Sequence, residues 1–212
     1  MLLPGTVPRQ ANRLETMKLI DTQATGRQGH NLFWRIHKAL RACLCDTLMT
    51  VGSIDSDDQG AVIKALAQVR TMILFCGGHM MQEERYIHPA MEERNPGSTC
   101  LSQGEHAQQE RAYAHITVLV ADVESASRAK RAEALSVLYQ YLGRFVGECL
   151  VHMNAEETHD HAVLSASYSD DELVAIEARI LAGLTPQQRA ISLHWMLPSF
   201  TPYERAELLA AA

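Results

Sequence analysis

The chain has 212 residues, 47% apolar and 21% charged, a balance that suits one packed domain with an appendage and excludes wholesale disorder or a fibrous repeat. A formal net charge of -6 with no basic face disfavours a nucleic-acid partner, which needs clustered Lys and Arg to replace counterions on phosphate. No run reaches the roughly 18 uninterrupted apolar residues of a membrane span, and the first ten residues lack a long apolar signal core, so a cytoplasmic location without membrane contact is expected.

Helical periodicity dominates and no segment alternates with the period of two that strands require, so the chain reads as all-α. After an N-terminal arm (1–29), a first helix is expected from about Asn31 to Val51, with Phe33, His37, Leu40, Leu44 and Leu48 on one stripe. Gly52 to Asp58 makes a turn. A second helix from about Gly60 to Ile87 aligns Val62, Val69, Met72, Cys76, His79, Glu83 and Tyr86, and Pro89 is expected to disturb or end it. The loop Asn95-Pro-Gly-Ser98 leads to a third helix that reaches about Glu124, with Ser102 and Glu105 spaced as a capping box. A fourth, from about Ala129 to Val163, carries Leu138, Leu142, Phe145, Cys149, His152, Glu156 and His159.

Four long helices with short loops predict an antiparallel up-down four-helix bundle over residues 30–165. Residues 166–212 read as a C-terminal extension of short helices, started by Ser169-Asp-Asp-Glu172, Thr185-Pro-Gln-Gln188 and Thr201-Pro-Tyr-Glu204. Helices this short are marginal alone, so the extension is expected to dock on the bundle or on a second subunit. Its apolar group Trp195, Met196, Leu197, Phe200 and Tyr203 suits core or a homodimer contact, with a regulatory protein partner as the sharper alternative. The five cysteines, Cys43, Cys45, Cys76, Cys100 and Cys149, lack a C-x-x-C pair and read as buried thiols rather than disulfides or a thiolate zinc site.

Two histidines are followed four residues later by glutamate, His79 with Glu83 and His152 with Glu156, which puts an imidazole and a carboxylate on one helix face. Each pair follows a lone helical histidine at a similar interval, His37 before the first and His106 before the second. Counted from the turns near residues 55 and 127, all four histidines fall within roughly 11 Å along the bundle axis. Four histidines and two glutamates inside one bundle would carry a heavy desolvation penalty unless they held cations. Imidazole with carboxylate suits iron, manganese or zinc, and six ligands exceed the need of one tetrahedral zinc. Two ions bridged by Glu83 and Glu156, with His37 and His79 on one and His106 and His152 on the other, use the whole set.

Four histidines without a repeated partner, His88, His115, His159 and His194, suit surface or capping roles. Of these His159, seven residues after His152, is the best candidate for a supporting donor at the mouth of the site. His30 is an alternative to His37, one heptad away.

These motifs resemble the hemerythrin and HHE cation-binding proteins. The likeness covers about residues 30 to 165 and rests on His37, His79-x-x-x-Glu83-Glu-Arg-Tyr-Ile-His-Pro89, Glu105-His106 and His152-x-x-x-Glu156-Glu157. It implies a four-helix bundle around a non-haem di-iron centre with a bridging oxygen. Members bind oxygen, sense oxygen or iron, or handle nitric oxide and damaged iron centres. The chain departs from the oxygen carriers, which have His-x-x-x-His on the third helix and, on the fourth, His followed five residues later by Asp. Here Glu110 stands where the second of those histidines would fall, either an extra oxygen ligand or a solvated glutamate beside Arg111, while Glu157 stands at the five-residue position.

The expected function is a di-iron protein that binds oxygen or another small diatomic for sensing, storage or scavenging. A di-iron oxidoreductase, acting on peroxide or nitric oxide or in iron-centre repair, and a metal-gated interaction module are the alternatives.

Overall fold

The computed structural model describes residues 29–210; the N-terminal arm expected over 1–29 lies almost wholly outside them. They are helical throughout, with no strand among the described residues. The side chain of Asn31 opens α1 (Trp34–Gly52) by accepting from the backbone N–H groups of Phe33 and Trp34 at 2.9 and 3.0 Å. The buried face of α1 includes His37, Leu40, Leu44, Thr47 and Val51, at steps of three and four residues. Asp58 caps α2 (Gln59–Gln82), whose side chain accepts from Ala61 N–H.

α2 does not stop near Pro89. It widens into a π-turn over Glu83–Ile87 and resumes as an α-helix over His88–Arg94, with Pro89 in the first turn of the resumed segment. His88 N–H donates to the carbonyl of Glu83, five residues back. An α-turn would drive the proline ring against the carbonyl four residues earlier, and the wider turn just before it relieves that clash. The whole run Gln59–Arg94 is long and apolar enough by composition to cross a membrane, with a hydropathy of 1.3 over its richest window. Its Val62, Leu66, Val69, Met72 and Cys76 are nevertheless buried in the protein's own core.

Gly97, at φ 86°, makes the next turn in a conformation that a side chain would strain. The carboxylate of Glu92 ties this loop down by accepting from Gly97 N–H and Thr99 N–H. α3 (Cys100–Ser125) then begins one turn earlier than the Ser102 and Glu105 spacing suggests, with Thr99 at the N-cap position, so these two do not form a capping box. Ser102 donates to Asp160, 2.7 Å away, and Glu105 reaches His152. α4 runs Arg128–Ala155, widens over Glu156–Asp160 and continues over His161–Ser167, slightly beyond the expected end.

The extension forms α5 (Asp170–Gly183), α6 (Pro186–Ser199) and α7 (Pro202–Ala210). Ser169 with Glu172, Thr185 with Gln188 and Thr201 with Glu204 exchange reciprocal cap bonds, as the start signals imply.

α1 packs on α2, α4 and α6, and α3 packs on α4 and α2. One core is drawn from α1, α2, α3 and α4, with Ile191, Trp195 and Met196 of α6 against it. A second joins Leu32, Phe33, Ile87, Met91 and Leu164 to Leu173 and Ile176 of α5. The extension is thus docked on the chain's own helices, and each fully buried side chain it supplies contributes roughly 1.5–3 kcal/mol. Phe200 is buried, whereas Leu197 and Tyr203 remain exposed. All five thiols are free; Cys43, Cys76 and Cys149 are buried as expected, but Cys45 and Cys100 are on the surface.

Candidate metal centre

The inward stripes of the four long helices bring His37 from α1, His79 and Glu83 from α2, His106 from α3, and His152 and Glu156 from α4 into one buried cluster. Glu83 and Glu156 are 1% and 2% exposed, too deep for carboxylates without compensating charge. Ligand atoms of His37, His79, Glu83 and Glu156 all lie within 4.8 Å of one another, and so do those of Glu83, His106, His152 and Glu156. The two groups share both glutamates.

Each glutamate faces both histidine pairs through different oxygens. Glu83 Oε1 is 2.9 Å from His79 Nε2 and 3.9 Å from His37 Nε2, while its Oε2 is 3.5 Å from His106 Nε2. Glu156 Oε2 is 3.5 Å from His37 Nε2, and its Oε1 is 3.1 Å from His152 Nε2 and 3.6 Å from His106 Nε2. His37 Nε2 and His79 Nε2 are 3.1 Å apart. Neighbouring ligands on a common ion with bonds of about 2.1 Å stand about 3.0–3.4 Å apart, the scale seen here.

The orientation of the rings separates this cluster from an ordinary hydrogen-bonded network. Glu83 Oε1, both carboxylate oxygens of Glu156 and His106 Nε2 are buried without a hydrogen-bond partner among the described residues. Such atoms cost about 1–3 kcal/mol each when left unsatisfied, and more when charged. The imidazoles approach the oxygens closely but do not aim their N–H bonds at them. A cation between the rings would satisfy all four orphaned atoms, so the residues present fit a metal ion.

The far nitrogens of three rings are also engaged. His37 Nδ1 lies 3.0 Å from Glu157, His106 Nδ1 3.2 Å from Glu84, and His152 Nδ1 2.7 Å from Glu105. A carboxylate behind an imidazole keeps the proton on Nδ1, turns the Nε2 lone pair inward and makes it more basic. Arg41 holds Glu157 in place through two bonds, at 2.6 and 3.0 Å.

Until a cation displaces the Nε2 protons, the groups favour one another's charged forms. Burial pulls His37 down, but Glu157, Glu83 and Glu156 raise it above its ordinary value. Against the same burial, Glu156 and Glu83 lift His106 to about 9, and Glu105 and Glu156 lift His152 to about 10. Burial likewise opposes ionisation of Glu83, yet the His79 charge with the contacts of His106 and His37 holds it well below the usual carboxylate range. Glu156 is lowered by His106 and His152 despite its burial and the Glu83 charge.

The two further glutamates singled out in the sequence fall outside both groups. The inward stripe of α3 runs through His106, Tyr113, Ile116 and Val120, which leaves Glu110 on an exposed flank. Glu157 faces the back of His37 rather than the cluster. His30 pairs with Glu177 of α5 at 2.9 Å and does not replace His37. His159 is exposed and contacts Asp160 instead of a ligand-bearing ring. His115 and His194 are on the surface, but His88 is buried and stacks on His106 with centroids 4.9 Å apart.

Glu84 and Arg41 carry no signal in the sequence, and Glu105 and His88 were given capping or surface roles there, because each of the four meets its partner across helices where no fixed spacing reveals it. No protein-family model, no curated protein and no solved structure matches the chain.

Proposed function

We propose that this chain is a hemerythrin-like four-helix bundle that binds two non-haem iron ions, one at each histidine pair, with Glu83 and Glu156 bridging them. The observation that carries this reading is the sharing of two buried glutamates between two histidine pairs, with three of their four oxygens buried without a hydrogen-bond donor among the described residues. The mixed imidazole and carboxylate set suits iron, with manganese or zinc as substitutes, better than it suits calcium or magnesium.

The physiological ligand in this reading is oxygen or another small diatomic, taken up for sensing, storage or scavenging. A cavity of about 20 Å³ beside His79, Glu83 and His152 supports it. Leu40, Leu44, Met80 and Met153 wall that cavity, which has room for a molecule of about the size of one water. An iron pair would supply reversible change of oxidation state. The chain's own part is to fix the rings through Glu157, Glu84 and Glu105, keep bulk water out with its apolar walls, and balance the ionic charge with two carboxylates.

Elemental analysis of protein expressed in iron-replete medium tests the proposal. About two ions per chain are expected. A value near zero in folded protein never exposed to a chelator would overturn it, and anaerobic loading with ferrous iron followed by oxygen and absorption spectroscopy identifies the metal and its ligand.

A further inference from the structure

Three of the four clustered imidazoles have a carboxylate at the far nitrogen, and those carboxylates sit at positions that repeat between the two halves of the chain. Glu84 and Glu157 each stand one residue after a shared glutamate, and each backs the lone histidine of the other half, His106 and His37 respectively. Glu105 stands one residue before His106 and backs His152. By the same repeat the residue one before His37 should back His79, and that residue is Ile36. His79 makes its polar contacts through Nε2 alone, to His37 and Glu83.

An aliphatic side chain accepts no hydrogen bond. An imidazole with no acceptor behind it is neither fixed in orientation nor made more basic, so it is the weakest donor of such a set. Space is available beside it as well. Ile36 and His79 both line a cavity of about 120 Å³ between the long helices and the C-terminal extension, with Phe75 and Ile191 among its apolar walls. The His79 side chain is 14% exposed, against 0%, 2% and 8% for those of His37, His106 and His152. The ring that lacks a carboxylate is thus also the one with room to turn.

We infer that His79 is the replaceable ligand of the centre: its ring releases the ion that it shares with His37, and the freed position takes a small external donor, a diatomic or a small anion, while the ion at His106 and His152 stays closed. This rests on the two-ion reading above and assigns the exchangeable position to one of the two ions. Ile36 sets that asymmetry by failing to hold the ring.

Anaerobic release of ferrous iron from the full-length protein to a chromogenic chelator is expected in two phases, one ion leaving about tenfold or more faster than the other. Ile36→Glu supplies the missing carboxylate and should slow the fast phase by about tenfold with the slow phase unchanged. Ile36→Gln offers an uncharged acceptor should the added charge impair folding. Damage to the fold would speed release, so slowing reports the new contact. Azide titration of the oxidised protein, followed by absorbance, should saturate at one azide per chain and be about tenfold weaker in Ile36→Glu. Two ions that leave at the same rate, or a fast phase slowed by neither Ile36 variant, overturns the inference and leaves the proposed function standing. Undiminished azide binding in a variant whose fast phase has slowed overturns the assignment of the exchangeable position to that ion. Iron content near zero, read before release begins, overturns the proposed function itself and the inference with it.

Discussion

Glu157 Oε1 sits between two cation-forming groups, 3.0 Å from His37 Nδ1 and 2.6 Å from Arg41 Nη1, so the guanidinium on one turn of α1 fixes the carboxylate that orients the imidazole on the turn before. Loss of a group that orients a ligating histidine typically weakens metal binding about 10–100-fold. Glu157→Ala is expected to weaken the ion at the His37 and His79 pair by that factor and to leave its neighbour less affected, as read by competition with a calibrated chelator. Arg41→Ala should act in the same direction but more weakly. Unchanged affinity in Glu157→Ala would show that the ring needs no such support.

Removal of a shared carboxylate should behave differently. Glu83→Ala and Glu156→Ala each delete oxygens that face both histidine pairs, so occupancy is expected to fall at both positions. His37→Ala should damage one position more than the other. Elemental analysis of the three variants decides the matter: if both glutamate variants retained one fully bound ion and lost only the second, the bridging assignment would be wrong.

Ser102→Ala tests the contact between α3 and the widened turn of α4. Asp160 is 3% exposed and takes a 2.7 Å hydrogen bond from Ser102 Oγ. Leaving that buried carboxylate short of a donor should cost about 1.5–3 kcal/mol in urea unfolding, and most of the loss should disappear in an Asp160→Ala background. A loss that persisted in full there would return Ser102 to a capping role.

The extension should loosen in acid. Lys38 Nζ lies 2.7 and 2.9 Å from the two oxygens of Glu204. Burial opposes ionisation of Glu204, but Lys38 and the cap bonds of Thr201 lower its pKa from 4.5 to about 2. A carboxylate with a folded pKa below its unfolded value stabilises the fold above the unfolded value, and that contribution fades as pH falls from 4.5 toward 2. Hydrogen exchange of the α7 amides is expected to be faster, relative to the intrinsic rate, at pH 3 than at pH 6, and Glu204→Gln should remove most of the difference. Equal protection of α7 at both values would exclude this ion pair as its anchor.

Much of the helical architecture was legible because its signals are local. The stripe through Leu40, Leu44 and Val51, the Asp58 cap and the three serine- or threonine-led starts of the extension all lie within one helix, where spacing dictates direction. The six residues of the cluster stood out for the same reason, as a spacing that occurs twice. Pairs such as Glu105 with His152, Glu84 with His106 and Glu157 with His37 were illegible, since each joins two helices and depends on how each is rotated about its axis. Ser102 and Glu105 were misread because their spacing is genuinely that of a cap; the chain starts the helix earlier and uses both side chains across the interface with α4. Pro89 marked a disturbance of the helix rather than its end, because the turn before it widens and the helix resumes.

The two π-turns, Glu83–Ile87 and Glu156–Asp160, each begin at a shared glutamate and fit one extra residue into a turn. Deleting a residue from either would rewind it to an α-turn and set everything downstream about 100° out of phase. Behind the first, His88 would swing off the His106 ring and Met91 out of the second core. Behind the second, Leu164 would do the same. These stretches should therefore tolerate many exchanges of one side chain for another and almost no change in length, whereas the Gly52–Asp58 connection can gain or lose a residue for about a tenth of a kcal/mol of loop-closure entropy. Among relatives of this chain, alignment gaps should gather in the connections and stop abruptly at Glu83 and Glu156.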